Sequence, residues 1–213
     1  VTLGGWASNS KYSLLGGLRA AAQMISYELP MGMAIASCIL FSGSLSMIDV
    51  VNSQEVWWNI FRNPIGAVIF IVAAFAEANR TPFDLVEAEQ ELVGGFHTEY
   101  SGMKFGMFFL AEYMHVMIGS MLITTFFFGG YHLPFAGYWL PEMGSMAKAI
   151  LDVSVFTLKT FFWAFVYIWV RWTIPRFKYN QVMKLGWKRM LPISILNFIV
   201  LAILIYAWHH YLG

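Results

Sequence analysis

Charge is scarce in this chain, and cysteine is scarcer still. Of 213 residues 12% are charged, and the one cysteine, Cys38, lies in an apolar run. A lone thiol cannot close an internal disulfide, complete a zinc site or ligate an iron-sulfur cluster. Any redox metal therefore has to come from another chain. Thirteen basic residues against twelve acidic ones leave a net charge of +1, which offers no electrostatic footprint for nucleic acid. There is no basic n-region followed by a short apolar stretch, no internal repeat and no low-complexity segment, so nothing reads as a signal peptide, a solenoid or a disordered tail. The sequence opens on Val1 rather than methionine, as expected of a fragment or a processed piece.

What the chain has in abundance is apolar surface: 59% hydrophobic and 18% aromatic residues, with a mean hydropathy of +0.62. That composition belongs to the membrane class. The expected fold is all-α, a polytopic transmembrane helix bundle forming a single membrane domain over 1–213. Since about 20 apolar residues cross the ~30 Å hydrocarbon core, five spans are expected near 13–47, 64–79, 103–128, 148–171 and 191–208. The first is too long for an upright span and carries Pro30 behind Glu28, which points to a tilted or broken helix. The second is short, with Pro64 at its start and Glu77 near its end.

Basic residues sort by side when alternate loops are grouped. Lys11, Arg19, Arg80, Lys104, Arg171, Arg176, Lys178, Lys184, Lys188 and Arg189 fall on one side, and Arg62 and Lys148 on the other. This positive-inside bias places the loops 80–102 and 172–190 on the cytoplasmic (or matrix) side. The second of these has no acid from Arg171 to Arg189, which suits anionic lipid or a peripheral subunit, although topology accounts for most of it. Trp6, Trp57, Trp58, Trp139, Trp172, Trp187 and Trp208 lie near span ends, as an interfacial belt requires.

Against that apolar background, Ala76 to Tyr100 holds six carboxylates, one arginine and one histidine. Thr81-Pro82-Phe83-Asp84 has the order of a capped helix start, followed by a short helix to Val93 that Gly94-Gly95 stops. On it Asp84, Glu87 and Glu91 share one face, and their mutual repulsion raises the pKa of at least one of them. A solvated acidic face is the plainer reading of such a run. Three carboxylates inside or bordering the spans, Glu28, Glu77 and Glu112, tip the balance toward proton handling, because each costs at least ~2.5 kcal/mol if ionised in the membrane. Glu112 has His115 one turn away. Lys159 and Asp152 share a face of the fourth span, where an ion pair across helices is the stronger reading. Arg19, Gln23 and Ser26 line one face of the first span and face either a polar ligand head or another helix. His97, His209 and His210 read as a loop histidine and headgroup-region histidines.

Several segments resemble one family. Ala76-Glu77-Ala78-Asn79-Arg80-Thr81-Pro82-Phe83-Asp84-Leu85, continuing through Glu87-Ala88-Glu89-Gln90-Glu91 and Gly95-Phe96-His97-Thr98-Glu99-Tyr100, is similar to the signature of the H subunit of respiratory complex I, the proton-pumping NADH:quinone oxidoreductase. Gly5-Trp6-Ala7-Ser8-Asn9-Ser10-Lys11-Tyr12, Leu18-Arg19-Ala20 through Ser26-Tyr27-Glu28, Phe108-Phe109-Leu110-Ala111-Glu112-Tyr113 and Pro175-Arg176-Phe177-Lys178-Tyr179 match as well. Val86 and Gln90 depart from the proline and serine frequent in relatives, without removing a carboxylate. Family members have eight spans, and this chain corresponds to the last five.

The resemblance implies a proton path through Glu28, Glu77, Glu112 and Lys159. It implies a quinone-coupled acidic loop with Arg80, Asp84, Glu87, Glu89, Glu91 and Glu99, and a quinone tunnel lined by Arg19, Gln23, Tyr27 and Phe83. It also implies a translocase subunit with no redox centre, catalytic residue or metal of its own. Quinone is then the substrate, flavin and iron-sulfur clusters sit in partner subunits, and the partners are other membrane and peripheral subunits of complex I, the lipid bilayer and quinone, without nucleic acid. The location implied is a bacterial inner membrane or the mitochondrial inner membrane. Two other classes stay open: a membrane subunit of a related ion-translocating hydrogenase-type complex, and a secondary ion-coupled transporter, against which the lack of internal symmetry counts. A purely structural anchor fits the buried charges least.

Overall fold

The structure, a computed structural model, describes residues 2–84, 100–133 and 145–211. Among them every regular element is helical: α1 (Thr2–Ala7), α2 (Lys11–Ser42), α3 (Met47–Asn52), α4 (Asn59–Arg62), α5 (Pro64–Glu77), α6 (Gly102–Phe127), α7 (Ser145–Thr173), α8 (Tyr179–Leu185), a π-helical turn (Gly186–Met190) and α9 (Leu191–Tyr211). Four helical runs are long and apolar enough to cross a membrane: Lys11–Ser42, Gly102–Phe127, Met146–Thr173 and Tyr179–Trp208. The expected second span is the 14-residue α5, about 21 Å long and so shorter than the hydrocarbon core. The short helix expected beyond Asp84 lies outside the described residues.

Helix α2 is continuous through Pro30 rather than broken, and Gly43, at φ 65°, ends it by donating its N–H to the Ile39 carbonyl. A left-handed residue at that place is where glycine has no steric penalty. The buried side of α2 includes the small residues Gly16, Gly17, Ala20, Ala34, Ser37 and Cys38 beside the larger Gln23, Tyr27 and Pro30. It meets a similar side of α5, which includes Gly66, Ala67, Ala73, Ala74 and Ala76. In lipid no hydrophobic drive separates helix from helix, so close approach of small side chains supplies the packing energy.

Polar pins fix the register. Asn63 caps α5 by accepting from the Gly66 N–H at 2.9 Å, with Pro64 in the first turn where a missing N–H costs nothing. Its amide donates to the Ser37 hydroxyl on α2 at 2.6 Å, and Asn197 on α9 donates to its carbonyl at 3.0 Å. One buried side chain thus ties three helices at one end of the bundle. The last turn of α5 emerges at the opposite end, against Gln23 of α2 and the segment that leads into α8.

Candidate functional site: the turn after α5 and its buried ion pairs

Helix α5 ends at Glu77, and the chain reverses through Asn79 at φ 49°, Arg80 and a cis Thr81–Pro82 peptide. Such a turn beside a membrane exposes backbone groups that need partners. The Gln23 carboxamide, fully buried, donates to the Ala76 carbonyl at 2.7 Å and to the Phe83 carbonyl at 2.9 Å. The Phe83 N–H closes the turn on Arg80 O at 2.8 Å, and the Phe177 N–H reaches Pro82 O at 3.0 Å. Phe83 packs its ring against Tyr27 and Phe177, both at 5.6 Å between centroids, while the Tyr27 hydroxyl donates to Val182 O at 2.9 Å. Arg176 pairs with Asp84 at 3.1 Å. The entrance to the acidic segment and the basic segment before α8 are therefore built into one another.

Two further pairs sit where α5 meets α6. Arg80 Nε lies 2.6 Å from Glu112 Oε1, with both side chains largely buried at 8% and 16% exposure. The guanidinium also covers the Tyr113 ring at 4.5 Å, a contact that favours a planar, weakly hydrated cation. His115 Nε2 is 3.4 Å from Glu77 Oε1, with the histidine side chain 42% exposed. His115 thus faces Glu77 rather than Glu112, its neighbour one turn away on the same helix. Carboxylates, an arginine and an imidazole within such distances form a group that can exchange protons by small rearrangements of partner.

A half-buried charge, Lys159, lies far from these. The last carbonyls of α6 have no intrahelical partner, and side chains from other elements meet them. Gln54 donates to Thr125 O at 3.0 Å and Asn59 to Phe126 O at 3.0 Å. The Lys159 ammonium donates to Phe128 O at 2.8 Å, Gly130 O at 3.0 Å and His132 O at 2.6 Å. It also rests 4.5 Å from the Trp58 ring centre. This corrects the expected ion pair across helices for Lys159: the cation answers backbone carbonyls at the negative end of a helix. Desolvation pulls the neighbouring His132 imidazole below its usual range. Phe128 is sixteen residues beyond Glu112, about 24 Å along the helix.

The sequence-predicted residues therefore divide. Glu77, Arg80, Asp84, Glu112, Gln23, Tyr27 and Phe83 converge on the turn. Gln23, Tyr27 and Phe83 do so as enclosed side chains that hold its shape. Arg19 stacks its guanidinium over Tyr179 at 5.6 Å. Glu28 is on the exposed side of α2, and Lys159 is at the other end of the bundle. Glu87, Glu89, Glu91 and Glu99 lie outside the described residues. Reading the sequence alone missed Arg176 as the partner of Asp84 and Tyr113 as the platform under Arg80. Both stand in runs of sequence that do not show which acid or cation they meet.

The sequence profile of the family described as NADH dehydrogenase matches residues 1–202. The chain is 60% identical to NADH-quinone oxidoreductase subunit 8 of Rhodothermus marinus, over 95% of this chain and 62% of that protein. It is 58% identical to the NADH-quinone oxidoreductase H subunit of Salinibacter ruber, over 95% and 61%. With the H subunit of Leptospira biflexa the identity is 52%, over 97% and 57%. The chain thus spans about three-fifths of the length of these curated relatives.

Proposed function

The chain belongs to the NADH dehydrogenase family, and from that premise we propose that it is part of the quinone-side membrane subunit of a proton-translocating NADH:quinone oxidoreductase. Electrons reach the quinone from flavin and iron-sulfur clusters held by partner subunits, in a bacterial inner membrane. The observation that carries this reading is the buried Arg80–Glu112 pair, placed at the mouth of the acidic segment and next to the Glu77–His115 pair.

Reducing a quinone to a quinol takes two electrons and two protons. In a low-dielectric cavity the charge of each electron is felt by nearby acids and bases, which take up or release protons in response. The turn after α5 is suited to pass that response on. Asp84 and Arg80 are four residues apart on one turn clamped by Gln23, so a change in the charge of Asp84 bears on the Arg80–Glu112 contact. Weakening that contact makes Glu112 a proton acceptor, and Glu77 with His115 lies next in line toward the membrane. Tyr27 and Phe83, held behind Gln23, form the inner wall of the quinone tunnel, with Arg19 toward its side. Glu28 serves the path from the exposed side of α2. Lys159 enters as a fixed charge that anchors the far end of the helix bearing Glu112.

The test is Glu77→Gln in the assembled, full-length enzyme reconstituted into proteoliposomes. NADH oxidation by a hydrophilic artificial acceptor should be unchanged, while proton uptake per NADH with quinone as acceptor drops about threefold or more. An unchanged ratio of protons to NADH removes the Glu77–His115 pair from the path.

A further inference from the structure

Tyr167, on α7, has a buried hydroxyl that takes no part in the ion pairs described above. The residue is 3% exposed, and its hydroxyl has no hydrogen-bond partner among the described residues. A phenol left so inside a protein forfeits about 1–3 kcal/mol, so it signals either a bound water or a partner that comes and goes. Its ring is immobilised by stacking on Phe75 at 4.0 Å between centroids and 20° between planes. Phe75 is two residues before Glu77 on α5.

The hydroxyl is seated on α6 at Gly119, where a Cβ would come within 2.9 Å of it. Glu112, His115 and Gly119 are spaced i, i+3 and i+7, which places them on one face of α6. The Tyr167 oxygen thus lies on the stripe that carries Glu112 and His115, about 6 Å further along the axis than His115. Beyond it the same stripe continues with Ile123 and Phe126, both buried and apolar. Two neighbouring hydroxyls on α6 are already committed, Ser120 donating to Val116 O and Thr124 to Ser120 O.

We propose that the Tyr167 hydroxyl is the next group of the proton path after the Glu77–His115 pair, joined to it by a water molecule held over Gly119. This rests on the reading of Glu77 given above. The hydroxyl remains neutral throughout. It accepts a proton on its oxygen from the bridging water, which takes one from His115, while releasing its own to a second water molecule, so no charge is left on the ring. Gly119 makes the space in which oxygen and water sit.

Tyr167→Phe keeps the ring, the stack on Phe75 and the packing volume, and removes the oxygen alone. In the assembled full-length enzyme in proteoliposomes, electron transfer from NADH to quinone in the presence of an uncoupler should stay at the level of the parent enzyme. Proton translocation per NADH should fall about threefold or more. Gly119→Ala, which drives a methyl group into the hydroxyl's seat, should give the same loss, and the double variant no further one. Equal translocation in Tyr167→Phe and the parent overturns the proposal. So does a parallel drop in uncoupled electron transfer, which would mark the hydroxyl as a packing or assembly element. If Glu77→Gln loses translocation and Tyr167→Phe does not, the relay through Tyr167 fails and the reading of Glu77 stands. If neither variant loses it, both fail.

Discussion

Glu112→Gln is expected to lower NADH-driven quinone reduction and the accompanying proton translocation by about tenfold or more, while NADH oxidation by a hydrophilic acceptor survives. The acceptor reaction draws electrons before the membrane is involved, so it reports the integrity of the partner subunits. Glutamine keeps the shape of the side chain and still accepts from Arg80 through its amide oxygen. It cannot carry a proton at the working pH, and it leaves the buried Arg80 side chain without the carboxylate 2.6 Å away. Removing one partner of a buried pair costs about 3–5 kcal/mol, so the single variant is also expected to assemble less well. Pairing it with Arg80→Gln removes both charges together. The double variant should recover assembly and remain deficient in translocation, which separates the structural part of the effect from the functional part. Recovery of both would reduce the pair to a structural one.

Lys159→Met should damage the enzyme in a different way. Three carbonyls, Phe128, Gly130 and His132, lose a charged donor at once. Hydrogen bonds to a charged group contribute about 1.5–3 kcal/mol each, and methionine recovers part of the loss by filling the apolar space against Trp58. A net loss of about 3 kcal/mol corresponds to roughly a hundredfold change in an equilibrium. The half-life of quinone-linked activity on warming should shorten in proportion, and the amount of assembled complex in the membrane should drop. Lys159→Arg should retain most of the stability, because a guanidinium also offers several donors to carbonyls. The ratio of protons to electrons in molecules that do assemble should be unchanged, since the ammonium sits about 24 Å from Glu112 along α6.

Hydropathy made the helical bundle legible, down to the shortness of α5 between Pro64 and Glu77. The concentration of acids after α5 marked the place where function should be sought. Pairings were another matter. Gln23 meets Ala76 and Phe83, 53 and 60 residues away in sequence, and no local periodicity announces such a contact. His115 looked like a partner for Glu112 because helix neighbours three apart are adjacent. Arg80 takes Glu112 instead, since a guanidinium stays charged in the membrane and its planar face finds Tyr113, which leaves His115 to Glu77. Lys159 suggested an acid because lysines and acids are the visible charges of a sequence. Its acceptors are backbone oxygens, which every residue has and which the turn after α6 makes available. Arg176 was visible as part of a basic run, and a run of like charges hides which member meets an acid.

Infrared difference spectra of the full-length complex, recorded between oxidised and quinone-reduced states, test the coupling of these carboxylates to quinone chemistry most directly. Carboxyl groups that gain or lose a proton on reduction should give bands in the protonated C=O region. Part of that signal should vanish in Glu112→Gln and a further part in Glu77→Gln. Spectra in that region identical to the parent's in both variants would contradict the assignment of the Arg80–Glu112 and Glu77–His115 pairs to the proton path.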